Sequence, residues 1–280
     1  VTAWTRDIGL LVNQAFAGSS YKGVDAWRAA AEAGATWISV TEEAFELPAE
    51  RIAQLRTDAD QAGLPIRLTG CPVFGLADPR DAARDFNLEW ARRHVDFTVS
   101  LGARRMKILL GEWAWRGMWP NELQWQLEIE GVRRLCDYAE RHDVVLTVEM
   151  EPLPSSFACD PSSVARVLAD VASPALRATV DTSHMVVMAT PARDIQLLRG
   201  QVSTVDFGDS NGKWHEHLEP GAGVADLAAF ARELSAAGGK DTLLAVEVGP
   251  FSDPENAYRR VRTAIDRTRT LFAAAAVAGD

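Results

Sequence analysis

Eight times along the chain a short run of β-branched and aliphatic residues is followed by a longer amphipathic stretch, and this alternation leaves few folds open. The runs are IGLLVN (8–13), TWISVT (36–41), PIRLTG (65–70), MKILLG (106–111), VVLTVE (144–149), LRATVD (176–181), QVSTVD (201–206) and TLLAVE (242–247). Each is short and almost continuously apolar, as a parallel strand covered on both faces has to be. The stretches between them carry apolar residues at helical spacing, such as Leu123, Leu127, Val132, Leu135 and Tyr138 within 121–142. Boundary signals agree with this. Gly34 and Gly63 close two predicted helices, Pro48 opens one, and Asp160 before Pro161 makes an N-cap. Eight strand–helix units in 280 residues match an α/β fold of the (β/α)8 or TIM-barrel type, as a single domain over residues 1–280. A doubly wound open sheet is the alternative, but it usually has fewer strands, and no glycine-rich phosphate-cradling turn follows the first run.

The last four runs end in a carboxylate: Glu149, Asp181, Asp206 and Glu247. In a barrel the C-terminal strand ends converge on one mouth, where four such groups would repel each other and resist desolvation. A divalent cation between them is the simplest remedy, and oxygen donors suit Mn²⁺ or Mg²⁺. The four are therefore candidate metal ligands, with Mn²⁺ the first expectation and Mg²⁺ or Co²⁺ the alternatives.

Other residues near the predicted mouth have two readings each. Glu112 after the fourth run, and Glu42 or Glu43 after the second, would bind a sugar hydroxyl or stand solvated in a loop. His184 follows Asp181 by three residues, while His215 and His217 lie in a Gly- and Pro-punctuated loop; the choice is substrate contact or an ordinary packing or loop imidazole. Trp113, Trp115, Trp119, Phe157, Trp214 and Phe251 fall in loops of one face, as a wall for a sugar ring or as core packing. Lys107 lies inside a strand, where an unpaired ammonium is costly; it either pairs within the barrel or points to the lower face.

A net charge of −10 disfavours nucleic acid and anionic membranes as partners. No run approaches a membrane span, and the cysteines Cys71, Cys136 and Cys159 form no disulfide or metal pattern, so a cytoplasmic location is expected. Arg116 and Lys213 are the evident cations of the mouth loops, too few for a phosphorylated substrate.

The segments VEMEP around Glu149, VDTSH at 180–184, DFGDSNG after the seventh run, HLEPGAGVADL from His217 and VEVGP around Glu247 resemble the xylose-isomerase-like barrels of the sugar isomerase/epimerase superfamily. The resemblance runs in register over the whole barrel, with its specific motifs in the C-terminal half. It implies that Glu149, Asp181 and Glu247 ligate a metal, that Glu149 and Glu247 also move the substrate proton, and that His184 contacts substrate. Where the family usually has a strand-seven histidine this chain has Asp206; if Asp206 is not a ligand, His215 or His217 takes its place. The implied activity is metal-assisted proton abstraction next to the carbonyl of a keto-sugar or polyol, giving isomerisation or epimerisation. The alternatives are a lyase on the same scaffold, as in a dehydratase or a C-glycoside-cleaving β-elimination, and a non-catalytic barrel that binds a polyol or a partner. A DNA-repair endonuclease of this fold would need a fuller histidine set and a less acidic surface. Exposed tryptophan loops leave room for a homo-oligomer or a partner subunit.

Overall fold

The computed structural model describes residues 7–42 and 47–277, so Glu43 lies outside the described residues. Eight strands close into one all-parallel barrel in sequence order: β1 (Ile8–Leu11), β2 (Trp37–Val40), β3 (Ile66–Phe74), β4 (Arg105–Gly111), β5 (Val145–Glu149), β6 (Leu176–Asp181), β7 (Val202–Phe207) and β8 (Gly238–Val246). The outer layer comprises α1 (Val12–Ala15), α2 (Val24–Glu32), α3 (Ala49–Ala62), α4 (Asp81–Ser100), α5 (Asn121–Arg141), α6 (Pro161–Val171), α7 (Thr182–Val187), α8 (Leu227–Ala237) and α9 (Ala257–Val277). The single TIM-barrel domain read from the alternation is the architecture found. Among the described residues, no helix is long and apolar enough to cross a membrane.

The strands read as apolar runs because both their faces are covered, by helices outside and by side chains filling the lumen. The Asp160 cap of α6 is a full capping box, with Ser163 N–H donating to its side chain and the Ser163 hydroxyl returning to its backbone. Three boundaries differ from the predicted ones. β3 runs on to Phe74 because residues 71–74 keep pairing with β4 up to Gly111. β8 starts directly at the end of α8 and stops at Val246, so Glu247 stands one residue beyond it. The amphipathic stretch after the sixth run is only a 3₁₀ segment, Ala192–Leu198, and the helical turn falls earlier, in α7, where the Asp181 side chain caps the chain the moment β6 ends.

The lumen is filled asymmetrically. Leu11, Trp37, Leu68, Leu243 and Ala245 form one apolar cluster, with the indole of Trp37 fully buried. Gly9 makes room for that indole: a Cβ there would lie 2.3 Å from its ring carbons. On the other side Thr147, Thr179 and Thr204 meet through their hydroxyls. These threonines lie two residues before Glu149, Asp181 and Asp206, and strand periodicity places all six side chains on the inner face. Gly9→Ala should destabilise the fold by about 1–3 kcal/mol through overpacking. Urea unfolding checks this, and pairing the change with Trp37→Phe should recover part of the loss.

Candidate functional site

The carboxylates of Glu149, Asp181, Asp206 and Glu247 are buried, and one oxygen from each lies within 4.8 Å of the others. The ammonium of Lys107 on β4 reaches into this group. Its Nζ donates to Glu149 Oε1 at 2.9 Å, to Asp206 Oδ2 at 2.9 Å and to Glu247 Oε2 at 3.4 Å. Of the two readings of Lys107 the barrel-interior pairing holds. One ammonium offsets one of four negative charges, and the shifts of the acids follow from that shortage.

Burial would pull the Lys107 ammonium down, but Asp206, Glu149 and Glu247 outweigh it and hold the group well above its ordinary value. Burial raises Glu149 well above the carboxylate range despite the opposing Lys107 charge, with Glu247 and Asp206 adding to the rise. Asp181 is raised well above its ordinary value by burial and then by Glu247, Glu149 and Asp206. Burial lifts Asp206 to about 6, less than it would without Lys107. At Glu247 burial is overcome by Lys107, His217 and His184, and the carboxyl is held at about 2.

Three histidines stand above the carboxylates. His184 occupies the first turn of α7, its backbone N–H donating to Asp181 Oδ1 at 3.0 Å. Its Nδ1 donates to the Met150 carbonyl at 2.7 Å, so its Nε2 accepts from Nε2–H of His215 at 2.8 Å. Burial, then the neighbouring His217, keeps His184 well below the usual imidazole value and therefore neutral. His217 sits with Nδ1 3.7 Å from Asp181 Oδ2 and Nε2 3.5 Å from Glu247 Oε1. Asp181 Oδ2 and His217 Nδ1 are buried without a hydrogen-bond partner, as is Asp206 Oδ1. Buried polar atoms left this way are costly unless something binds them. Asp181, His217 and Glu247 together, and the four carboxylates together, are groupings able to hold a metal ion. The unpartnered oxygen and nitrogen face each other within the first of these, so the residues present fit a divalent cation.

The loop that delivers His217 is folded around a buried acid, Asp209. Its Oδ1 accepts from the amides of Ser210 (2.8 Å) and Ala225 (3.1 Å), and its Oδ2 from Gly221 (2.9 Å) and Gly223 (3.0 Å). A Cβ at Gly223 would come within 2.3 Å of Asp209 Oδ1, so only glycine lets the loop wrap this closely. Bridges of Asp209 with Leu218 and of His217 with Gly249 then tie the histidine to the mouth.

A cavity of about 340 Å³ opens over the cluster. It is lined by Lys107, Glu149, Glu151, Glu247 and the three histidines, by the apolar Leu11, Cys71, Pro72 and Leu109, and by Asn13, Gln14, Ser39 and Thr41. Glu151 was not singled out from the sequence, although it follows Glu149 by two residues and so shares its face. Burial pushes its carboxyl up to about 7, and its Oε1 lies 3.5 Å from His215 Nε2.

Two predicted substrate contacts are placed elsewhere. Glu112 is buried rather than solvated, and its Oε1 accepts from the amides of Ala114 (2.9 Å) and Trp115 (3.4 Å). It faces Glu128 of α5, whose carboxyl is raised well above its ordinary value by burial and then by Glu112. Trp113 is 64% exposed and packs on Phe74 with ring centroids 4.5 Å apart, outside the cavity. None of the six loop aromatics lines the cavity. Phe157 packs against Trp125, Trp115 donates to Asp78, and Phe251 lies under Arg260, so half of the supposed wall is structural packing. Glu42 is ion-paired with Arg51.

The sequence profile of the xylose isomerase-like TIM barrels matches residues 27–269. The chain belongs to that family. Fructoselysine 3-epimerase of Escherichia coli O157:H7 is 28% identical over 155 residues, 55% of this chain and 56% of that protein, so the match spans little more than half of the relative. The protein of the same name from Shigella flexneri is 24% identical over 234 residues, 81% of this chain and 83% of its own length. Among solved structures, a D-psicose 3-epimerase superposes with a TM-score of 0.79 at 17% identity, over 95% of this chain and 99% of that one. An L-ribulose 3-epimerase gives 0.77 at 17% identity over 98% of both. At these identities the superpositions establish a shared fold. The xylose isomerase-like barrel of this chain carries, on β7, Asp206 ion-paired to Lys107 of β4.

Two outcomes follow from this geometry. Asp209→Ala would orphan four amides, each worth about 1–3 kcal/mol if left buried and unpaired. Hydrogen exchange should therefore show lost protection at Gly221, Gly223 and Ala225 before any loss at the strands. Glu128 has a folded-state value above its ordinary 4.5, so its contribution to stability is lost as pH rises past 4.5 toward the folded value. The stability difference between Glu128→Gln and wild type should accordingly shift in favour of the variant between pH 4.5 and pH 8, as urea melts at each pH would read.

Proposed function

We propose that this chain is a divalent-metal-dependent sugar epimerase or isomerase, which moves a proton on the carbon next to the carbonyl of a keto-sugar or related polyol. The observation that carries this reading is the pair Glu149 and Glu247, two buried carboxylates anchored to one ammonium and both lining a 340 Å³ cavity. The names of the relatives, 3-epimerases of fructoselysine, D-psicose and L-ribulose, support the substrate class.

Asp181, His217 and Glu247, with Glu149 beside them, would hold the cation. A mixed set of carboxylates and one imidazole suits Mn²⁺ first, with Mg²⁺ or Co²⁺ as substitutes. When bound, the cation supplies Lewis-acid polarisation of the substrate carbonyl and hydroxyl oxygens. One of Glu149 and Glu247 takes the proton from carbon and leaves the electron pair in an enediolate; the other returns a proton to the opposite face or to the neighbouring carbon. Carboxylates of unequal basicity suit a donor and an acceptor role. Glu247, held low, is the ionised carboxylate able to accept a proton, and Glu149, raised by burial, is the one that carries a proton to return. His184, spent on its hydrogen bonds to Met150 and His215, fixes the ring of His215, whose other nitrogen is left to meet a substrate oxygen. The apolar lining residues Leu11, Cys71, Pro72 and Leu109 exclude water around the bound substrate. Self-association, if it occurs, has the exposed Trp113, Met118 and Trp119 as its surface. None of the relatives described above carries a lyase name, so the elimination alternative gains no support.

The test is deuterium uptake from D₂O, followed by NMR, into D-fructose, D-psicose, L-ribulose and fructoselysine in the presence of Mn²⁺. Uptake into at least one of them is expected, and Glu149→Gln and Glu247→Gln should each slow it by about 10²–10⁴-fold. No uptake with any ketose, or full uptake in both variants, contradicts the reading.

A further inference from the structure

We propose that Lys107 is the resident counter-cation of the carboxylate cluster, a positioning residue that withdraws Asp206 from metal ligation and leaves that task to His217. The inference deepens the metal-dependent reading above and rests on it for the ligand set alone.

Three observations converge on it. First, Lys107 Nζ sits 2.9 Å from both Glu149 Oε1 and Asp206 Oδ2, and 3.4 Å from Glu247 Oε2, so a single donor group spans three strand ends. A dication bonded to those same oxygens would stand beside the ammonium and be repelled by it. Second, three atoms of the site are buried and unpartnered: Asp181 Oδ2 and His217 Nδ1 face each other 3.7 Å apart and belong to groups the ammonium does not touch, whereas Asp206 Oδ1 belongs to a carboxylate whose other oxygen already holds it. The polar vacancy thus lies on the Asp181 side of the cluster. Third, the chain invests in placing His217, through the four-amide knot around Asp209 and the bridge of His217 to Gly249. Asp206 on β7 and the lysine on β4 therefore form one device. Asp206 supplies the charge that holds Lys107, and Lys107 holds Glu149 and Glu247 in their bearings with or without a metal.

Isothermal titration of the metal-free protein with Mn²⁺ tests this without any substrate. Asp206→Asn should change Mn²⁺ affinity less than about threefold, whereas His217→Ala and Asp181→Asn should each weaken it by about 10–100-fold. Lys107→Met should bind Mn²⁺ more tightly than wild type, because Asp206 is released as a ligand, and adding Asp206→Asn should cancel that gain. If Asp206→Asn weakens Mn²⁺ binding as much as Asp181→Asn does, Asp206 is a ligand and the proposal falls. That comparison needs only variants that keep Lys107, so it stands even where Lys107→Met does not fold.

A second readout separates this proposal from the enzymatic reading. In metal-free protein, Lys107→Met should lower the melting temperature, and Lys107→Met with Asp206→Asn should regain more than half of the loss; simple additivity overturns the pairing. Should wild type bind no Mn²⁺, the metal reading fails while this melting cycle still decides the role of Lys107. Where turnover is measurable, Lys107→Met should lower kcat with KM little changed, and Lys107→Arg should restore part of it.

Discussion

One ammonium facing four buried carboxylates is the interaction on which the rest of this barrel depends. Glu149, Asp181, Asp206 and Glu247 converge because four consecutive parallel strands end at one mouth, and threonines two residues earlier fill the lumen beneath three of them. Left alone such a group would oppose folding through repulsion and desolvation. Lys107 offsets part of that cost from inside the barrel. What it leaves uncompensated, chiefly at Asp181, is what the proposed cation would offset.

The same imbalance organises the histidines. His184 is neutral and spent on hydrogen bonds to Met150 and His215, which makes it a rigid part of the wall. His217 has no such bonds at Nδ1 and stands between Asp181 and Glu247. The loop that carries it is anchored by a second buried acid, Asp209, which spends its charge on four backbone amides and so needs no metal or lysine. Two buried aspartates three residues apart thus solve the same desolvation problem in different ways, one with an ion pair and one with a turn.

Much of this was legible in the chain. Strand runs covered on both faces are apolar throughout, so all eight strands and the carboxylates that end the last four runs could be read without a structure. Lys107 could be seen to need a partner, but not which one, because its partners lie 42, 99 and 140 residues away. Glu112 looked like Glu149, a carboxylate at the end of an apolar run, yet it turns away to cap the following loop against Glu128; strand-end position does not determine side-chain direction. The tryptophans after β4 had two readings for a related reason. An aromatic in a mouth loop can pack outward as readily as inward, and Trp113 does so on Phe74. Glu151 went unnoticed because it lies past the apolar run, although strand periodicity puts it on the same face as Glu149.

The central claim is that the cation site of this xylose isomerase-like barrel lies on the Asp181 and His217 side of the cluster, with Lys107 and Asp206 closing the other. Anomalous X-ray diffraction from crystals grown with Mn²⁺ measures this directly. The account expects one peak bonded to Asp181, His217 and Glu247, with Lys107 Nζ still on Asp206. A peak bonded to Asp206 with Lys107 displaced, or no peak at the barrel mouth, would contradict it.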